Sequence, residues 1–188
     1  MNIEQVEKAL REARPYFYRY PQPVKVYLHW TGGHRYTSFE DYHFCIDGDG
    51  EVIESLPLTE IPSATYRRNT GSIAISICGC YGAKAYDDGN GDYHAVLGDE
   101  APTENQIEAL AMIMAKISEV FNIPLDIEHF MTHAEAADNM DGEYMHEPYG
   151  PSATFERWDL AVLSDDDDWM SGGDTLRGKA QWYKENGV

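Results

Sequence analysis

Apolar residues Ile3, Val6, Ala9, Leu10 and Ala13 recur at steps of three and four in an otherwise charged segment, which predicts an amphipathic helix over residues 3–14, ended near Pro15. Such a helix should lie across one face of a sheet. The period then changes. Val24 to Trp30 alternates apolar with polar, as a strand does. Asp41 to Ile46 and Glu51 to Ser55 flank Asp47-Gly48-Asp49-Gly50, whose glycines tolerate positive φ, and the two segments read as a hairpin. Ser72 to Cys80 is β-branched and nearly uncharged, which predicts a central strand buried on both faces.

Gly82 to Pro102 is rich in Gly, Asp and Tyr without a clear period and reads as a long surface loop. Thr103-Glu104-Asn105-Gln106 is a capping-box pattern opening a helix from Thr103 to about Phe121, stopped by Asn122 and Pro124. Phe130-Met131-Thr132 reads as a short strand that delivers His133 to its end. Residues 138–155 form another irregular loop, Asp165 to Asp168 a solubilising acidic edge, and Thr175 to Asn186 a final helix. Strands and helices alternate, so the class is α/β.

With 188 residues and 43% hydrophobic content the chain buries one sizeable core, and residues 1–188 are expected to be a single domain. Fourteen basic residues against thirty-three acidic ones leave a net charge of −19, which repels nucleic acid and anionic membrane surfaces. Nucleic-acid partners are therefore set aside. Met1 to Lys8 lacks a basic stretch followed by an apolar one, and no apolar run approaches the ~18 residues of a membrane span. The expectation is a cytoplasmic product without a signal peptide or membrane insertion, and a monomer. Cys45, Cys78 and Cys80 are odd in number and suit free, buried thiols in a reducing compartment. Their spacing is a weak zinc signal. Asp88-Gly89-Asn90-Gly91-Asp92 imitates a calcium loop, but Tyr93 stands where the sharp turn needs Gly, so it reads as a solvated loop.

Three distant segments carry the candidate chemistry. Leu28-His29-Trp30-Thr31-Gly32-Gly33, Met131-Thr132-His133-Ala134-Glu135 and Arg157-Trp158-Asp159-Leu160 together supply two imidazoles and a carboxylate of the kind that hold a catalytic zinc. Three protein ligands leave one tetrahedral position for water, whose pKa the metal lowers from about 15.7 to roughly 7. Such a water hydrolyses amides.

In chain order these residues resemble the zinc-dependent N-acetylmuramoyl-L-alanine amidases of the type 2 family, which includes phage lysozyme-amidases and peptidoglycan recognition proteins. The similar pieces are His29-Trp30-Thr31, Tyr42-His43-Phe44 leading into Ile46 to Val52, Asn69 to Ser76, Pro102 to Gln106 and Thr132 to Glu135, over roughly residues 24–163. The resemblance implies a mixed central β-sheet flanked by helices, with a metal groove on one side. It implies His29, His133 and Asp159 as Zn2+ ligands, with His146 or Glu147 as substitutes for Asp159, because many members place Pro after this ligand and here Leu160 follows.

Arg157, two positions before Asp159, matches a basic catalytic residue of some members and would act electrostatically. Other members carry a glutamate on the central strand; Ser76 occupies the matching place and offers no carboxylate. Tyr42 matches a catalytic tyrosine, and Glu135 is a further acid/base candidate. Trp30, Thr31, Tyr66 and Tyr149 are candidate substrate contacts, while His34, His43, His94 and His129 are surface or structural. The implied substrate is bacterial peptidoglycan or a muropeptide, cut between N-acetylmuramic acid and L-alanine. The implied setting is a phage or prophage endolysin released to the wall by a holin. The alternatives are a non-catalytic peptidoglycan-binding module or a phage structural component, which zinc content and virion copurification would separate from the enzyme.

Overall fold

The computed structural model describes residues 1–151 and 154–187. Residues 152 and 153, within the loop expected over 138–155, lie outside the described residues. Helix α1 (Ile3–Phe17) opens on an Asn2–Gln5 capping box and buries Val6, Leu10, Ala13 and Phe17 along one stripe. It runs one turn further than Pro15 suggested. Proline withholds a single N–H in the last turn, while Phe17, held edge-on against Phe121, draws that turn into the core.

Strand β1 (Lys25–Trp30) is followed by β2 (Phe44–Ile46) and β3 (Val52–Glu54), the expected hairpin. In its turn the Asp47 carboxylate accepts from the backbone N–H groups of Asp49 and Glu51, and Gly50 adopts φ +86°. Strand β4 (Ser72–Ile77) comes next. The stretch expected to be a loop contains a second hairpin, β5 (Lys84–Asp87) and β6 (Tyr93–Val96), apart from the main sheet. Most of its residues face solvent, so no burial period marks it. Its Asp88–Asp92 turn closes on local hydrogen bonds that the Asp87 and Asp88 carboxylates accept from the Gly89, Gly91 and Asn90 N–H groups.

Helix α2 (Glu104–Phe121) begins at the Thr103–Gln106 capping box. The buried Gln106 side chain also donates to the Ile46 and Cys78 carbonyls, docking the helix on the ends of β2 and β4. Asn122 ends it with φ +54°. The short β7 (Phe130–Thr132) leads directly into α3 (His133–Ala137), and α4 (Gly172–Asn186) completes the order, starting before Thr175. Among the described residues, no helix is long and apolar enough to cross a membrane.

The main sheet runs β3-β2-β4-β1-β7, mixed because β3 alone is antiparallel to its neighbour, with β4 in the middle as expected. Strand alternation divides its two faces. Val26, Leu28 and Trp30 of β1 and Ile73, Ile75 and Ile77 of β4 join the core under α1, α2 and α4. The opposite face carries Tyr27 and His29 beside Ala74 and Ser76, their register partners on β4. Small side chains on one strand thus leave room for large polar rings on the next.

A buried ion pair ties α4 to Glu135, in the residues that follow β7. Arg177 donates to both carboxylate oxygens of Glu135, at 2.7 and 2.9 Å, and to the Phe130 carbonyl. Gly172 and Gly173 make the approach possible. A Cβ on Gly173 would stand 2.2 Å from the Glu135 carboxylate, and one on Gly172 would stand 2.1 Å from the Leu160 carbonyl oxygen. Removing one member of such a pair strands the other charge without water. Arg177→Met is expected to lower the unfolding free energy by about 3–5 kcal/mol, measured by urea denaturation, whereas an exposed pair would give under about 1 kcal/mol.

Candidate metal centre

His29 is the penultimate residue of β1, and β7 ends at Thr132, whose register partner is Leu28, so His133 follows level with His29. Both imidazoles emerge at the carboxyl ends of parallel strands, where open α/β sheets place their sites. Thr132 then caps α3. Its hydroxyl accepts from Glu135 N–H while the Glu135 carboxylate accepts from Thr132 N–H, fixing His133 as the first residue of the helix.

Asp159 arrives from a tight turn after the long loop. Its carbonyl accepts from Ala134 N–H in the first turn of α3, and Ala161 N–H closes the turn onto Trp158. Between them Leu160, fully buried, adopts φ +59°. A left-handed leucine costs about 1–2 kcal/mol, and a proline, locked near φ −65°, could not take its place at all.

One donor atom each from His29, His133 and Asp159 lies within 4.8 Å of the other two. Asp159 Oδ2 stands 3.4 Å from His29 Nδ1 and 3.2 Å from His133 Nδ1, and the imidazole centroids are 4.7 Å apart. The remaining His29 nitrogen, Nε2, meets the Thr65 hydroxyl at 3.1 Å. His133 Nε2 faces Glu147 Oε1 at 3.4 Å, outside hydrogen-bond geometry, and neither atom has a hydrogen-bond partner among the described residues. Two imidazoles and one carboxylate aimed at a common point fit zinc in donor type and number, with a fourth position left over.

Burial pushes His29 down to about 4, so it is neutral at physiological pH. Burial acts on His133 in the same direction, but the Asp159 carboxylate, with Glu147 behind it, outweighs that and raises it to about 9. Burial alone would raise Asp159; the two imidazoles hold it well below the usual carboxylate range.

A groove of about 350 Å³ opens beside His133, lined by Thr65, Tyr66, Arg67, Glu147, Tyr149 and Arg157 among others. Tyr66, Tyr149 and Arg157, each singled out from the sequence, thus share one groove with a candidate ligand. The ion pair between Arg157 and the acidic run 165–168 that would compete is not formed among the described residues. Asp165 and Asp167 are instead occupied by the backbone N–H groups of Leu97, Leu163 and Ser164. Tyr42 packs its ring 5.2 Å from that of His29. Burial, with the Asp159 charge, raises its phenol far above the ordinary range, so it remains a hydroxyl donor.

Three candidates take other places. Trp30 points to the opposite face of β1 and packs edge-on against Trp158 at 4.4 Å. Thr31 accepts through its hydroxyl from Gly33 and Gly79 N–H, clasping two loops. Glu135 spends both oxygens on Thr132 and Arg177, so it has none to offer a reacting proton. Its role was visible as Thr-x-x-Glu, the capping pattern. His146 is exposed near Asp138, at 3.9 Å. His43 is buried and structural, accepting from Ala74 N–H and facing the Glu60 carbonyl. His34, His94 and His129 pair with Glu100, Asp88 and Asp126. Thr65 was not singled out, and nothing local to it marks a partner 36 residues away. A wider depression of about 480 Å³ behind Glu135 holds none of the three donors and is lined by Arg177 and Asp174, already paired.

The chain belongs to the N-acetylmuramoyl-L-alanine amidase family, whose family model matches residues 19–146. That span holds His29, Tyr42 and His133 and stops short of Asp159. Among solved structures, the chain is similar to the "Ph2119 endolysin from Thermus scotoductus MAT2119 bacteriophage Ph2119". The two share 17% identity with a TM-score of 0.45, covering 65% of this chain and 84% of that one. No curated protein shows significant similarity in sequence.

A ligand imidazole must give up its proton. The carboxylates beside metal-free His133 favour its protonated form, so zinc affinity is expected to rise between pH 6 and 8 as binding releases that proton. His29, already neutral above about pH 4, adds nothing in that window. Calorimetry in buffers of different ionisation enthalpy measures the proton count, and a count near zero at pH 7 would contradict this protonation state.

Proposed function

We propose that the chain is a zinc-dependent amidase that cleaves the bond between N-acetylmuramic acid and L-alanine in peptidoglycan. The convergence of His29, His133 and Asp159 beside an open groove is the observation that carries this reading. Zinc bound there would supply Lewis acidity and a water acidic enough to attack an amide near neutral pH.

The side chains around it have separable tasks. His29 and His133 lend neutral nitrogen donors and Asp159 the negative charge, in a setting dry enough to make each contact strong. Arg157, on the groove wall, holds a fixed positive charge where the amide oxygen becomes negative; its guanidinium cannot hand over a proton, so its contribution is electrostatic. Tyr42, kept protonated by burial, donates a hydrogen bond from beside His29. Tyr66 and Tyr149 offer half-exposed rings on which a sugar face or peptide can rest.

The proposed setting is a phage or prophage endolysin acting on intact wall. Digestion of whole sacculi separates it from an enzyme of muropeptide recycling, which would cut soluble fragments only. Cleavage is expected to expose new L-alanine amino termini, read by mass spectrometry. Chelator or His133→Ala should abolish the product, and Arg157→Ala should lower kcat by about 10²-fold. Undiminished cleavage after chelation and in the His133 variant would refute the zinc mechanism, and tight peptidoglycan binding without any product would favour the binding-module alternative.

A further inference from the structure

Glu147 has no role in the reading above, yet it is buried, faces the groove and stands beside a candidate ligand. Its placement is built. Its backbone N–H donates to the Ala137 carbonyl at 2.7 Å, clamping it to the end of the helix that His133 begins. Gly150 follows so closely that a Cβ there would stand 3.0 Å from the same carbonyl oxygen. Upstream, Asp141 anchors the loop through two hydrogen bonds with buried Arg68, at 2.7 and 2.9 Å, and Asn139 adds a third. The loop is thus stapled at both ends, with Glu147 fixed under the imidazole.

The two nitrogens of an imidazole project in nearly opposite directions. His133 turns Nδ1 toward Asp159 and Nε2 toward Glu147. A metal taken up at Nδ1 therefore leaves Nε2 to Glu147, and the carboxylate stands outside the coordination sphere instead of replacing Asp159. His133 Nε2 and Glu147 Oε1, both buried without a hydrogen-bond partner among the described residues, face each other at 3.4 Å. A donor and an acceptor left unpaired in a dry place cost about 1–3 kcal/mol each, and pairing them with each other removes both costs. His29 has the neutral counterpart of this arrangement in Thr65.

We propose that Glu147 is the positioning residue of the metal centre: it accepts the Nε2–H of His133, fixes that ring's tautomer with Nδ1 free for zinc, and strengthens it as a ligand. This role rests on the metal reading above. It acts through His133 and needs no contact with substrate.

The test measures zinc affinity of the full chain by chelator competition, beside the thermal midpoint of the metal-free protein. Glu147→Ala should weaken zinc binding about 10–100-fold, the usual effect of losing such a partner, while the midpoint falls only modestly, as expected for one buried nitrogen left unpaired. Glu147→Gln keeps an acceptor oxygen of the same reach and should recover roughly half of the loss on a logarithmic scale, since a neutral acceptor makes the weaker bond. An alanine variant within about twofold of wild type, a glutamine variant as weak as alanine, or an alanine variant whose metal-free form is no longer folded at the assay temperature while glutamine restores folding without restoring affinity would each overturn the role. A wild-type chain that binds no zinc would overturn the metal reading itself, and this role with it.

The staple can be tested separately. Burial would raise Asp141, but Arg68, with the Glu143 backbone N–H and the Lys25 ammonium at 3.3 Å, holds it down to about 2, against an ordinary value of 3.8. A depressed carboxylate stabilises the fold fully above its ordinary value and loses that contribution as pH falls through its folded value. Wild-type stability should therefore drop more steeply between pH 4 and 2 than that of Asp141→Asn, measured by thermal unfolding, and parallel curves would show that the pairs of Asp141 with Arg68 and Lys25 add nothing.

Discussion

The sheet has two chemically different faces because strand residues alternate, and the arrangement of the site rests on that alternation. On β4 the isoleucines at 73, 75 and 77 face the helices, which leaves Ser72, Ala74 and Ser76 for the other side. Ser76 is the register partner of His29, and Ala74 that of Tyr27. A bulky residue at either place would fill the volume that the imidazole and phenol rings occupy. Slipping the strand by one residue would bury His29 among isoleucines, where no partner could repay its desolvation.

Around that face, polar groups are placed by close backbone approach. α3 holds His133 because its cap is closed by Glu135, and Glu135 is neutralised by Arg177 from α4. α4 can come near enough only because Gly172 and Gly173 present no side chain. The same closeness sets Leu160 into its left-handed turn and brings Asp159 over the start of α3. Backbone strain beside a functional group persists only where the surroundings over-determine it, and here α3 and α4 enclose the turn from both sides.

The elements with strong internal period were legible in the chain itself. α1 and α2 bury regular stripes, and the Thr103 capping box and the Asp47–Gly50 turn work through groups within a few residues of one another. The β5–β6 hairpin was not legible, since exposed strands carry no burial signal. His29, His133 and Asp159 were picked out as candidate ligands through the resemblance to a known family, Asp159 although it lies beyond the matched family segment. Misreadings arose where one residue had two plausible employments. Trp30 adjoins the candidate ligand His29 in sequence but points to the other strand face, Thr31 lies beyond the end of the strand, and Glu135, next but one to His133, belongs to a cap.

Local order along the chain therefore determined the helices, the main hairpin and the central strand, because those depend on side-chain periodicity and on contacts spanning a few residues, whereas the candidate metal donors came from the resemblance to a known family. Tertiary structure alone decided that Thr65 and Glu147 stand behind the imidazoles, that Arg177 occupies Glu135, and that Tyr66, Tyr149 and Arg157 share a groove. Those facts are distances between segments far apart in the chain. They are set by how the faces pack, and no window of sequence contains both partners.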